Sequence, residues 1–282
     1  METPMTTQWR RIPSKTLTYL LLSAFAVTTL FPLVWMLYSS FKTNQEITLN
    51  TFTLPKALHF ENYIEAWQTA KIGVYFLNSI IVSTAAIALT IVAGASGAFI
   101  LAKFRFRLRG FVYGFFIVGM LIPLQSVLVP LFIQMRDFHL LDNLWSLILT
   151  YTAFGLPITI FLMESFIRSF PDSILEAALL EGASIPRIFL RLVMPISKHV
   201  IATVAILNFL NNWKEFSFAL IFISKDERKT LPLGLYNFLG AYTADYAGLM
   251  AALIIASVPL LILYFVLQEQ IIKGMTAGAV KE

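Results

Sequence analysis

Apolar residues dominate six stretches long enough to cross a bilayer: Leu17 to Phe41, Val74 to Ala102, Gly110 to Ile133, Leu144 to Phe166, Val200 to Ser224 and Ala247 to Leu267. The pattern predicts six membrane-spanning helices. The first follows WRRIPSK, but its apolar part outruns the roughly 7 to 15 residues of a signal-peptide core and no clear cleavage site follows, so it is read as a retained span. Between the fourth and fifth runs lies a different pattern, ILEAALLEGASIPRIFLRLVMPI, residues 174 to 196. Ile174, Leu175, Ala178 and Leu179 fall on one side and Glu176 outside that stripe, predicting a short helix from Ile174 to about Ile185. A dozen residues reach roughly 18 Å against about 30 Å of hydrocarbon, so this helix lies outside or along the membrane and needs a partner. Segment 42 to 73 reads as a turn-rich start followed by an amphipathic helix from about Glu61, with Tyr63, Ile64 and Trp67 on one face.

The fifth run is the exception to an otherwise apolar interior. NFLNNWKEFSF, residues 208 to 218, places amides and charges inside a predicted span, where a charge costs about 2.5 to 3.5 kcal/mol even on a mild insertion scale. Asn208, Asn211, Asn212 and Glu215 follow i, i+3, i+4, i+7 spacing and share one helical face. Together with Trp213 and Lys214 they form the candidate substrate pathway. Neutral amides beside an aromatic ring suit a hydroxyl-rich solute, and helix-to-helix hydrogen bonding is the alternative. Pro123, Pro130, Pro157 and Pro259 permit kinks in the third, fourth and sixth runs. GASGA, residues 94 to 98, and the Gly110 and Gly114 pair read as places of close helix packing.

Composition narrows the class. With 58% hydrophobic and 13% charged residues in 282, and a mean hydropathy of +0.75, the chain is too apolar for a solvated globule and reads as an integral membrane protein. The absence of cysteine excludes disulfides, thiolate metal sites and cysteine nucleophiles. His59, His139 and His199 lie far apart at the ends of apolar runs and are not expected to ligate a metal. The net charge of +5 is gathered between the apolar runs, which speaks for membrane orientation and against nucleic acid. Thirteen basic residues on one side against seven on the other place both termini in the cytoplasm. The expected layout is a single transmembrane domain, 1–282, with a cytoplasmic tail 1–16, outer loops 42–73 and 225–246, and a cytoplasmic loop 172–196. In KFRFRLRG, residues 103 to 110, the four positive charges are expected to face lipid phosphates. No Gly is followed directly by Lys, so there is no Walker-type phosphate loop. Asp137 and Asp142 fall in a short outer loop, and no Ser, His and acid converge at helical spacing, so no catalytic residue is expected.

EAALLEG, Glu176 to Gly182, followed by Pro195, resembles the EAA loop of binding-protein-dependent ABC importer permeases, with Leu192 and Met194 in place of that pattern's Ile and Leu. KFRFRLRG, LIPLQSVLVPLF, SFPDSILEAALLEGAS and the C-terminal GMTAGAVKE resemble the carbohydrate branch of that family in order and spacing, similar to the smaller permease of the maltose importer. Two departures stand out: Leu175 where an acid is frequent, and Lys214 in WKEF where the family's WNEF-like segment has Asn. The resemblance implies an all-α integral membrane protein of the type I importer class, with six transmembrane helices and a cytoplasmic coupling helix between the fourth and fifth. It assigns Glu176, Ala177, Ala178, Gly182, Ala183, Ser184 and Pro195 to coupling with a separate ATPase, Gly182 permitting a turn or close approach and Pro195 directing the next span. It further implies a homologous second permease, two ATP-binding subunits holding ATP and Mg, an extracytoplasmic solute-binding protein, a sugar substrate, and no cofactor on this chain. The expected function is sugar or oligosaccharide import across an inner membrane. Lys214 motivates an anionic solute, such as glycerol phosphate or an acidic oligosaccharide, as the alternative. An ATP-independent transporter or channel is disfavoured by the EAA helix.

Overall fold

A computed structural model describes residues 11–240 and 244–279. Arg10, Lys281 and the last three residues of GMTAGAVKE lie outside them. In chain order the α-helices are α1 (Arg11–Ser39), α2 (Asn44–Leu49), α3 (Glu61–Gln68), α4 (Ile72–Lys103), α5 (Arg109–Gly119), α6 (Leu124–Asp137), α7 (Leu144–Arg168), α8 (Asp172–Leu180), α9 (Ile185–Ile188), α10 (Met194–Ile196), α11 (Lys198–Trp213), α12 (Ser217–Phe222), α13 (Leu231–Leu235) and α14 (Tyr246–Ala279). A π-helical stretch, Phe189–Val193, joins α9 to α10. In hydrocarbon every backbone group must be satisfied within the protein, which long helices achieve alone. Among the described residues α1, α4, α7 and α14 are long and apolar enough to cross a membrane singly. Two bent pairs, α5 with α6 at 103° and residues 185–196 with α11 at 77°, bring the number of candidate spans to six if each pair counts as one.

Two predicted spans are broken, the fifth at a point other than that 77° bend, which falls at Ser197 ahead of the run. The third run stops at Gly119 and resumes at Leu124, because Pro123 has no N–H and sits in extended geometry (φ −66°, ψ 132°) as the N-cap of α6. The fifth run stops at Trp213 and resumes at Ser217. By contrast Pro130, Pro157 and Pro259, and Pro32 in α1, stay inside their helices.

The chain divides into two compact units. One comprises Met1–Ala70 with Phe238–Ile255. Its core joins Ile47, Ala247 and Met250 to Trp35, Met36 and Leu253. Lys42, fully buried here, donates to the carbonyls of Asn50 (3.1 Å) and Thr51 (3.0 Å), and its ammonium lies over the Tyr38 ring. The expected turn-rich start contains a helix, α2, opened by a capping box in which Thr43 and Glu46 bond each other's backbone N–H. The predicted helix at Glu61 is α3, whose Tyr63, Ile64 and Trp67 line a shallow groove with Gln68 and Ile255.

The second unit comprises Lys71–Asn237 with Ala256–Glu282. Its axis is α4 packed along α7, where a Cβ on Gly94 would meet Thr159, so this part of GASGA does mark a close approach. Gly110 and Gly114 have open space beside them and mark none. One apolar cluster gathers Ala95, Ala98, Phe99, Met163, Ile167 and Val204, and another gathers Val82, Leu147, Tyr151, Phe218 and Phe222. At the start of α4, Asp226 receives Lys71 (2.9 Å), the Tyr75 hydroxyl (2.8 Å) and Lys229 (3.1 Å), fastening the segment before α13. The Lys71 hydrogen bond leads the groups that hold the Asp226 carboxyl down at about 2.

Candidate functional site

The breaks after Gly119 and after Trp213 open on one cavity of about 420 Å³. Leu124 and Gln125, in the first turn of α6, line one side, and Lys214, Glu215, Phe216 and Ser217 line another. Tyr151, Phe154 and Gly155 of α7 and Asn208, Asn211 and Asn212 of α11 complete most of the wall. Glu215 explains the second break. Its carboxylate accepts from the N–H of Phe218 (2.7 Å) and Ala219 (3.3 Å), so it caps α12, and it also accepts from the Tyr151 hydroxyl (2.7 Å). Those contacts require the chain to leave the helix at Lys214, which ends the i, i+7 relation between Asn208 and Glu215.

The six residues of the predicted pathway do not share one role. Asn208 is 2% exposed and donates to Thr159 Oγ1 (3.1 Å) and to its own helix at Val204 O (2.7 Å), so the helix-to-helix alternative holds for it. Gly155 makes this possible, since a Cβ there would collide with Asn208 Oδ1. Asn211 and Asn212 reach the cavity, as does Lys214, which is exposed and forms no ion pair among the described residues. Trp213 is not a lining residue: it is 3% exposed, stacks on Phe209, meets Phe76 edge-on and donates Nε1–H to Ala256 O (3.0 Å). The rings at the cavity are Tyr151, Phe154, Phe216 and Phe218, which sequence reasoning missed along with Gln125.

The loop between α7 and α11 is the second candidate site. α8 ends at Leu180, short of Ile185, because Gly182 takes φ +82°. Gly182 N–H bonds Leu179 O (3.0 Å) and Ala183 N–H bonds Ala178 O (3.0 Å), the paired closure of a Schellman motif. A Cβ at Gly182 would meet nothing within 4 Å, so the backbone angle and not space demands glycine here. Leu175, Ala178 and Ala183 turn toward the cluster of Phe99 and Met163, while Glu176, Ala177 and Leu180 (90% exposed) face outward. Ile174 and Leu179, on the same apolar side in sequence, are exposed. Ser184 is the N-cap of α9 but makes no side-chain cap. Pro195 lies inside α10, exposed, two residues before the bend at Ser197.

Two of the four bases expected to face lipid are turned inward. Lys103, the last residue of α4, has a side chain only 6% exposed, and its ammonium donates to Phe170 O (2.6 Å) and Asp172 Oδ1 (2.8 Å). That hydrogen bond holds the Asp172 carboxyl below the ordinary carboxylate range. Arg109 approaches Glu164 (3.6 Å), which also pairs with Arg168 one turn on. Glu164 is 2% exposed and is a charge within the fourth run that the expectation of an apolar interior passed over. Arg105 and Arg107 are exposed.

Residues 91–277 match the family described as "Binding-protein-dependent transport system inner membrane component". The chain belongs to this family. A diacetylchitobiose uptake permease of Streptomyces coelicolor, NgcG, is 39% identical over 93% of this permease and 87% of its own length. A sulfoquinovosyl glycerol permease of Agrobacterium fabrum, SmoH, is 34% identical over 95% and 94%, and a multiple-sugar permease of Streptococcus mutans, MsmG, 32% over 93% and 96%. A solved bacterial importer of the acidic polysaccharide alginate has the same fold, with a TM-score of 0.83 at 23% identity over 95% of this permease and 99% of that chain. The permease is thus a multi-pass inner-membrane component of a transport system that depends on a binding protein. The matched segment contains every cavity residue and the whole loop from α7 to α11.

Proposed function

We propose that this permease forms half of the pathway of an ATP-driven importer for a sugar or oligosaccharide, coupled through α8 to a separate ATP-binding subunit. The observation that carries the reading is the cavity at the two helix breaks. Amides of Gln125, Asn211 and Asn212 meet the rings of Tyr151, Phe154 and Phe216 there, a combination suited to ring hydroxyls and the apolar faces of pyranoses. The sugars named for NgcG, SmoH and MsmG support it. Both termini and α8 lie in the cytoplasm, as the distribution of basic residues argues. A homologous second permease completes the pathway, two ATP-binding subunits hold ATP and Mg, and an extracytoplasmic binding protein delivers the solute. This chain is non-catalytic: α8 offers Glu176, Ala177 and Leu180 to a cleft of the ATPase, and closure of the nucleotide-binding pair moves α8 and with it the spans.

One observation favours a second reading. Glu215 is occupied by Tyr151 and two backbone N–H groups, so the cation beside it, Lys214, is the charge left to a ligand, which suits an anionic sugar. The assembled importer in liposomes tests both readings. Asn211→Leu and Asn212→Leu are expected to lower ATP-dependent uptake about 2- to 10-fold each at unchanged assembly, the value of one hydrogen bond. Lys214→Asn should leave uptake of a neutral sugar intact and depress that of a uronate. Vanadate-insensitive uptake by the permease alone overturns the ATP-driven reading, and equal uptake of both sugars by Lys214→Asn removes the anionic one.

A further inference from the structure

The polar clamp at the end of α4 touches the loop that carries α8 at the short joint before that helix. α7 ends at Arg168 and α8 begins at Asp172, leaving Ser169, Phe170 and Pro171 as the joint. Pro171 is the N-cap of α8 in extended geometry (φ −58°, ψ 132°) and supplies no side-chain cap, and its carbonyl meets the first turn of α8 only through a long bond from Ile174 N–H (3.3 Å). Lys103 reaches in from another span and bonds both sides of Pro171: the carbonyl of Phe170 before it and the carboxylate of Asp172 after it. Four residues earlier on α4, the Phe99 ring packs against Phe189 at 5.5 Å, in the π-helical stretch where the loop returns toward α11. One turn of α4 therefore grips both arms of the loop.

From this geometry we infer that Lys103 is a positioning residue for energy coupling, which fixes the angle of α8 against α4 so that displacement of α8 moves the spans as a unit. The inference rests on α8 being the helix docked to the ATPase. The two bonds differ in weight. Asp172 is 75% exposed, and a pair with so wet a partner contributes little, whereas Phe170 O is met by an ammonium almost withdrawn from water. The carbonyl is the larger contact, and a side chain that reaches it with a charged donor can replace lysine.

The test is the number of sugar molecules moved per ATP hydrolysed by the assembled importer in liposomes, with its binding protein and its own transported sugar. Lys103→Met is expected to lower this ratio about five-fold or more while ATP hydrolysis persists, the consequence of losing about 1 kcal/mol or more at a two-state joint. Lys103→Arg, which retains the charged donor, should restore it. Asp172→Asn, which still offers Lys103 an oxygen, should stay within about two-fold of wild type. A normal ratio in assembled Lys103→Met overturns the proposal. Loss of assembly in Lys103→Met and in the hydrogen-bonding Lys103→Gln alike assigns the residue to folding alone and overturns it too. A wild-type importer that moves no sugar on ATP addition refutes the proposed function instead, so the two failures are distinguishable.

Discussion

The Tyr151 and Glu215 pair gives the sharpest energetic test of how the fifth span is broken. Glu215→Ala removes a cap from two N–H groups of α12, which costs about 0.5 to 2 kcal/mol, and removes the partner of a hydroxyl on a ring that is 4% exposed. A hydrogen bond to a charged group contributes about 1.5 to 3 kcal/mol, so the substitution should cost about 2 to 5 kcal/mol in all. Tyr151→Phe loses that bond but leaves the carboxylate with both N–H donors, and should cost about 1.5 to 3 kcal/mol. In the double variant the shared bond is lost only once. We therefore expect its cost to fall short of the sum of the singles by about 1.5 to 3 kcal/mol. The assay is unfolding of the purified permease in mixed micelles by titration with a denaturing detergent, followed by helicity, for the four proteins of the cycle. Costs that add to within about 0.5 kcal/mol would falsify the claim that the phenol and the carboxylate hold each other at the break.

Two further outcomes follow from the loops. Because Gly182 is needed for its φ of +82° and not for space, transport per assembled complex should rank Gly above Asn above Ala above Val, with Ala shifting the turn by about 1 to 2 kcal/mol; equal transport by the Asn, Ala and Val variants would refute the backbone argument. Asp226 is held at about 2 against an ordinary 3.8, and a group whose carboxyl is lowered in the folded state stabilises above the unfolded value and loses that contribution as pH falls through the folded one. Wild type should therefore lose thermal stability between about pH 3.8 and about 2, and Asp226→Asn, less stable at neutral pH, should show a shallower loss; parallel curves would remove the assignment.

Much of this architecture is legible in the sequence because hydrocarbon leaves few options: an apolar run of sufficient length must be helical. What periodicity missed is where a local polar contact outweighs it. The sequence predicts a kink at Pro123, yet a residue without N–H followed by a fresh turn at Leu124 ends a helix outright. The Glu215 break is only half legible: its cap of Phe218 and Ala219 is local, but its anchor, Tyr151, is 64 residues away. Some signals were present and unused. Thr43 and Glu46 at T-x-x-E spacing announce α2, and Gly182 after an apolar run announces the end of α8. Trp213 was read as a sugar platform on its sequence neighbours, but Phe76 and the Ala256 carbonyl, both remote in sequence, claim it. Lys103 was counted with bases facing lipid because charge arithmetic sets the side of the membrane and says nothing of which carbonyl a lysine finds.

The cavity and the loop are joined by one continuous helix. α7 carries Tyr151 and Gly155 at the cavity, Thr159 against Asn208, Glu164 against Arg109, and then runs directly into the joint before α8. From Tyr151 to Glu164 is about 20 Å of helix, at about 1.5 Å per residue. Pro157 lies inside this stretch without ending the helix, and α4 is packed against it. Continuity alone does not make a transmission route; an element with two arrangements must lie at its end. At that end lies the break from Lys214 to Phe216. It is held by three hydrogen bonds to a single carboxylate, one of them from α7 itself, so moving Tyr151 away leaves α12 with a cap but the break without its anchor to the fourth span. Part of the cavity wall is thus carried by α7, whose far end runs into the joint that Lys103 bonds. A substitution at either end of this helix should therefore change the response of ATP hydrolysis to solute, whereas one on the outward face of α8 should change hydrolysis with or without solute.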